Sequence, residues 1–173
     1  PAHLLTVGED GVAACRQYWE IRPAGPAPAQ PLAELEERLQ RAVRGQLVSD
    51  VPVGVFLSGG IDSSVICGVY ADNYKGERQT FSAGFAEDTY SELTHAGTVA
   101  ELFSTRHREL ELASNDRMIG EIERILLYFD VPFGDPSVVP FYYISRLARS
   151  ANLKVVLSGD GADEIFGGYD TYR

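Results

Sequence analysis

The chain has 173 residues, 45% hydrophobic and 23% charged, with a formal net charge of −10. That is enough apolar material for the core of one compact domain, and the acidic balance, with a pI near 4.7, argues against a nucleic-acid substrate, because backbone phosphates are bound by clustered Lys and Arg. No apolar run approaches a membrane span and no signal peptide is visible, so neither a membrane partner nor export is expected and the expected location is cytoplasmic.

In chain order, residues 22–31 read as a linker by composition, with Pro23, Pro26, Pro28 and Pro31 interleaved with Ala and Gly. Leu32 to Val48 reads as an amphipathic helix, since Leu32, Leu35, Leu39, Ala42, Val43 and Leu47 recur at helical spacing. From Val51 strands and helices alternate. Strands are expected at Val53–Leu57, Gln79–Phe85, His107–Leu112 and Lys154–Leu157, and helices at Ser63–Tyr74, Ser91–Phe103, Asp116–Tyr128 and Val138–Ala151. This order predicts an α/β fold, a parallel sheet with helices on both faces.

The cysteines, Cys15 and Cys67, give neither a disulfide framework nor metal-ligand spacing, and Cys67 among Val65, Ile66 and Val69 reads as core. Three scattered histidines make no zinc site. Phe141, Tyr142 and Tyr143 fall on a predicted helix, where such a cluster is more often core than cofactor contact. Asp135 reads as a substrate contact or, preferably, as the cap of the helix that follows.

The expected site begins where the first strand ends. Val53-Gly54-Val55-Phe56-Leu57 runs into Ser58-Gly59-Gly60-Ile61-Asp62-Ser63-Ser64. Gly59 and Gly60 let backbone N–H groups approach an anion, the serines add hydroxyl donors, and the helix start supplies a favourable dipole end. Asp62 is the odd member, because a carboxylate beside phosphate is repulsive unless a divalent cation lies between them. A magnesium ion is therefore implied. The loop is neither a Walker A, for no Lys lies between Asp50 and Asn73, nor the dinucleotide Gly-x-Gly-x-x-Gly. The bland alternative is an ordinary strand, glycine turn and helix cap.

A second block repeats the pattern. Lys154-Val155-Val156-Leu157 opens into Ser158-Gly159-Asp160-Gly161-Ala162-Asp163-Glu164, followed by Ile165-Phe166-Gly167-Gly168-Tyr169. In a parallel sheet, ligands sit at the carboxyl ends of strands near a switch in strand order, where two such turns can converge. Asp160, Asp163 and Glu164 would repel one another in a closed site without a cation or a substrate amine. A solvated acidic loop is the alternative.

Ser58 to Ser63 resembles the pyrophosphate-binding loop of the ATP pyrophosphatases, of the PP-loop, adenine nucleotide alpha hydrolase-like fold. Ser158 to Tyr169 resembles the second signature of the glutamine-hydrolysing asparagine synthetases, and Tyr128 to Ser137 a segment that helps shape the same family's substrate site. The chain's charge weighs against the tRNA-modifying relatives of the first loop.

The resemblance implies an ATP-dependent ligase. Aspartate's side-chain carboxylate would attack the α-phosphate of ATP, giving β-aspartyl-AMP and pyrophosphate, and ammonia derived from glutamine would displace AMP to give asparagine. Ser58, Gly59, Gly60 and Ser63 would hold the pyrophosphate, while Asp62 and Asp163 would bind Mg2+. Leu57 and Ala83 would line the adenosine pocket, and Ser158 and Gly159 would touch the nucleotide. Asp160 takes the position of the acid that deprotonates incoming ammonium. Two departures from the family pattern, Phe103-Ser104-Thr105 for Leu-Gly-Thr and Arg108 for a second His, fall on a helix-to-strand corner and read as packing variation.

The resemblance also divides the chain: residues 1–21 as the closing strands of an amino-terminal glutaminase domain, 22–31 as linker, and 32–173 as the first part of the synthetase domain. Without an initiator Met or a terminal Cys, and ending just after the second signature, the chain is expected to be a segment of a longer protein, inactive or weakly active alone. Its partner would be a glutaminase domain of the same full-length chain, with a homo-oligomer left open. Two other readings stay open: a relative of the β-lactam synthetases or peptide cyclases that adenylates another carboxylate, and a degenerate binding module, against which Asp62, Asp160 and Asp163 count.

Overall fold

The computed structural model describes residues 2–22, 25–26, 28–85, 92–113, 116–130, 134–135 and 137–172. Pro1, Pro23, the expected helix start at Ser91, and the Val131-Pro132-Phe133 and Pro136 parts of the segment from Tyr128 to Ser137 lie outside the described residues. The chain forms two compact units, Pro1–Leu35 and Glu36–Arg173. In the first, β1 (His3–Val7) and β2 (Ala13–Gln17) make an antiparallel pair in register from His3 opposite Gln17 to Val7 opposite Ala13. Helix α1 spans Pro31–Gln46, and its Val43 is buried.

The second unit alternates strand and helix: β3 (Val53–Phe56), α2 (Ile61–Asn73), β4 (Gln79–Phe85), α3 (Glu92–Leu102), β5 (Arg106–Leu112), α4 (Asp116–Leu126), α5 (Val138–Ser150), β6 (Val155–Leu157) and the short α6 (Ala162–Phe166). The four strands form a parallel sheet in the order β5-β4-β3-β6. Strand side chains alternate between faces. Val55 and Leu57 pack with Val43, Cys67, Tyr70, Ala96 and Ala100 of α1, α2 and α3, whereas Phe56 and Phe81 pack with Ile144, Ala148 and Leu153 from α5 and the turn after it. Burial on both faces is why β3 reads as an unbroken apolar run.

The chain leaves β3 for β4 and β5, then returns to lay β6 on the other side of β3. Strand order therefore reverses between β3 and β6, where a crevice opens at the carboxyl ends of the strands. The two serine-glycine turns leave these two neighbouring strands. Several element ends shift by a residue or two, and the shift that bears on the site is that α2 starts at Ile61 rather than Ser63, with Gly60 as its cap residue at φ −68° and ψ 165°. Asp62 is thus in the first turn of the helix, where a carboxylate is favoured by the dipole.

Candidate active site at the reversal of strand order

Hydroxyls close the first turn on itself. Ser58 Oγ accepts the Gly60 N–H at 3.2 Å, Ser63 Oγ accepts the Ser58 N–H at 3.2 Å, the two hydroxyls lie 3.0 Å apart, and Ser63 Oγ donates to the Gly60 carbonyl at 3.3 Å. Ser64 Oγ donates to the same carbonyl at 2.6 Å. Ser63 is only 6% exposed, so its hydroxyl shapes the turn. The N–H groups of the first helical turn have no partner within the helix and are the natural donors to an anion.

Gly59 has φ +84°, and a Cβ there would stand 2.6 Å from the Ala96 amide nitrogen and 2.7 Å from His95 Cβ. Only glycine lets the turn adopt this conformation and press against α3.

The second turn is set against the first. A Cβ on Gly159 would lie 2.9 Å from the Ser63 amide nitrogen and 3.2 Å from Asp62 Cβ, so the backbones of the two loops touch. Ser158 Oγ donates to Asp160 Oδ2 at 2.8 Å, fixing that carboxylate at the turn. Asp163 and Glu164 follow in the first turn of α6. The Tyr169 hydroxyl donates to Glu164 at 3.0 Å, and this bond raises the phenol's pKa.

Both loops open on a cleft of about 490 Å³, within the usual range of small-molecule sites. Of the residues singled out from the sequence, Leu57, Ser58, Asp62, Ser63, Ala83, Ser158, Gly159, Asp160 and Asp163 line it. Gly59 and Gly60 are not on its wall; Gly59 serves the seat of the turn on α3. Among the described residues no group of three or more His, Cys, Asp or Glu side chains is gathered to hold a metal. Asp62 and Asp163 on one cleft nevertheless fit magnesium, which takes one or two carboxylates and completes its shell with substrate phosphates and water.

The cleft is also lined by Glu92, which opens α3, by Phe56 and Ile144, which the sequence does not single out for the site, and by Phe141, which reads from the sequence as part of a core aromatic cluster. Phe141 in fact stands 52% exposed on the cleft wall. Asp135 accepts the Ser137 N–H at 2.8 Å just before α5, and this bond holds its carboxyl below the usual range.

A parallel sheet flanked by helices, with strand order reversing between the two serine-glycine turns, is the architecture of the PP-loop class of α/β folds. Solved structures agree at the level of fold: the NH3-dependent NAD synthetase of Campylobacter jejuni (TM-score 0.53, 14% identity, covering 79% of this chain and 60% of that one), and the glutamine-dependent NAD+ synthetase of Acinetobacter baumannii, solved with ADP (TM-score 0.55, 18% identity, 95% and 31%). The asparagine synthase family model matches residues 34–173, and the chain belongs to that family. It is 34% identical to asparagine synthetase [glutamine-hydrolyzing] 1 of Bacillus subtilis over 100% of this chain and 27% of that protein. It is 41% identical to a putative asparagine synthetase of Mycobacterium bovis over 81% of this chain and 21% of that protein. The chain thus spans about a quarter of the length of these relatives.

Proposed function

We propose that this chain is the nucleotide-binding part of an ATP-dependent ligase that makes asparagine. The observation carrying the reading is the contact of the two signature loops: Gly159 lies against Asp62 and Ser63 on one cleft, within the stretch that matches the asparagine synthase family. In this reading the first turn and the start of α2 hold the pyrophosphate moiety of ATP, Ser58 and Ser63 from the cleft wall and Gly59 and Gly60 through the backbone of the turn at its edge. Leu57 and Ala83 seat the adenosine, and Ser158 and Gly159 touch the nucleotide. An oxygen of the aspartate side chain attacks the α-phosphorus and pyrophosphate leaves. Ammonia then attacks the acyl carbon of β-aspartyl-AMP and AMP leaves.

Asp160, held by Ser158, takes a proton from incoming ammonium and so frees the lone pair with which ammonia attacks. Asp62 and Asp163 would hold magnesium, which supplies charge neutralisation for the phosphate oxygens. The rest of the catalysis is positioning. A glutaminase domain of the same full-length chain supplies the ammonia.

The test is ATP–pyrophosphate exchange in the full-length protein with magnesium, with and without aspartate. Exchange that requires aspartate and vanishes in Asp62→Ala is expected. Exchange driven by a different carboxylic acid would transfer the reading to a β-lactam synthetase or cyclase type of ligase, and nucleotide binding without any exchange would mark a binding module.

A further inference from the structure

The charged groups on the cleft wall are all acidic. Asp62, Glu92, Asp160, Asp163 and Glu164 line it, and among the described residues no Lys, Arg or His does. A polyphosphate adds further negative charge, which magnesium between two of the carboxylates offsets only in part. A donor just off the wall would relieve that repulsion, and α3 places His95 there. The helix opens on the cleft with Glu92. His95 comes three residues later, on the same face and about one turn further from the cleft. Helical Cα–Cβ bonds tilt towards the amino terminus, so the His95 side chain leaves its backbone in the direction of the cleft. The first serine-glycine turn meets it at that point: a Cβ on Gly59 would stand 2.7 Å from His95 Cβ and 2.9 Å from its carbonyl carbon. The imidazole is exposed, with no hydrogen bond or ion pair among the described residues.

We propose that His95 is a further phosphate-binding residue, its ring N–H donating to the outer phosphate of ATP and of pyrophosphate; this rests on reading the cleft as an ATP site. Position decides which part of the ligand it serves. His95 is off the wall and beside Gly59, so it meets what extends past the turn, which is the terminal phosphate and not the nucleoside. Imidazole suits the task, because the neutral ring donates one N–H and the charged ring two. A hydrogen bond to an ionised phosphate oxygen is shorter and stronger than one between neutral groups. The bland alternative is an exposed helix histidine that touches no ligand.

The experiment measures binding of magnesium pyrophosphate, magnesium ATP and AMP to the unaltered full-length protein and to His95→Ala and His95→Lys. Both variants keep the Cβ and backbone on which Gly59 rests. AMP lacks the outer phosphates and serves as the control for an intact cleft. His95→Ala is expected to weaken pyrophosphate and ATP about fivefold and to leave AMP unchanged, while His95→Lys retains most of the affinity. Isotope labelling confined to histidine gives a readout that a structural role would not move: pyrophosphate should shift the ring signal that is missing from His95→Ala, and AMP should not. Unchanged pyrophosphate affinity in His95→Ala, with aspartate-dependent exchange intact in the unaltered protein, would overturn the assignment and leave the ligase reading standing. Loss of AMP together with pyrophosphate would show a displaced turn and also overturn it. Failure of the unaltered protein to bind either pyrophosphate or ATP would overturn both readings.

Discussion

Ser104 shows how a single residue departs from what its neighbours suggest. The sequence attributes Phe103-Ser104-Thr105 to packing at a corner, and Phe103 does pack there, its ring filling the space beside Gly68. Ser104 answers to the backbone instead: its φ is +52°, its N–H donates to the Glu101 carbonyl at 3.1 Å, and the Thr105 N–H donates to the Ala100 carbonyl at 3.0 Å. This is a Schellman ending for α3, with a serine where glycine carries no strain. Relief of about 1–2 kcal/mol of left-handed strain, set against about 0.4–1 kcal/mol of extra freedom in the unfolded chain, predicts that Ser104→Gly stabilises by about 0.5–1 kcal/mol; an unmoved urea midpoint would contradict it. His107 supports a second prediction. Its Nδ1 lies 2.9 Å from Thr80 Oγ1, while Glu109 Oε1, at 3.2 Å from Nε2, is placed outside hydrogen-bonding direction and leaves that nitrogen unbonded. Burial lowers the pKa from 6.5, with Glu109 opposing. Below pH 6.5 the unfolded chain therefore takes up a proton that the folded imidazole resists, so stability falls as pH drops through this window and is flat above it with respect to this group. His107→Gln should flatten the limb below about pH 6.5 in urea unfolding; an unchanged slope would assign it to other groups.

At the scale of elements, helix α2 does more than cover β3. The Tyr70 hydroxyl donates to the Val53 carbonyl at 2.8 Å and accepts the Gln79 N–H at 3.2 Å, while the Tyr74 hydroxyl accepts the Val53 N–H at 3.1 Å. The two rings stack at 4.9 Å and 21°. One helix thus satisfies backbone groups at the amino ends of both β3 and β4, opposite the cleft, and burial pushes the Tyr70 phenol up to about 12. Tyr70→Phe leaves a carbonyl and an N–H without that partner and should cost about 1–3 kcal/mol, read as a lower urea midpoint at unchanged m-value; a cost near zero would mean that water takes the hydroxyl's place. The existence of these elements was legible because the strands are short apolar runs bounded by turns. The reach of the tyrosines was not, since it depends on how two separately formed elements register. Phe141 went unrecognised for the same reason: helical spacing shows that a side chain falls on a face, not that the face ends over a cleft.

At the scale of the molecule, the order of the strands makes the site. An alternating α/β pattern suits several sheet orders, so the sequence supports a parallel sheet and two candidate turns but leaves the adjacency of β3 and β6 to long-range packing. That adjacency brings Gly159 onto the first loop, and it yields a prediction that contrasts two glycines. A Cβ on Gly159 would lie 2.9 Å from the Ser63 nitrogen and 3.1 Å from the Asp62 carbonyl carbon. These are backbone atoms in the first turn of α2 and cannot swing aside as a flexible side chain would. Gly159→Ala must push the loops apart, at a cost of about 1–3 kcal/mol in overpacking. Misplacement of a fraction of an ångström at the reacting groups should also lower aspartate-dependent exchange about tenfold or more. Gly120, in α4, has no atom of the described residues within 4 Å of an added Cβ, so Gly120→Ala should stabilise by about 0.5–1 kcal/mol through helix propensity alone, leaving exchange unaltered. Thermal melts and exchange rates on the two variants separate the effects. If Gly159→Ala retains full exchange, the two loops do not meet in solution as they do here; if it loses exchange while Gly120→Ala keeps it, contact between turns that leave adjacent strands is what assembles the site.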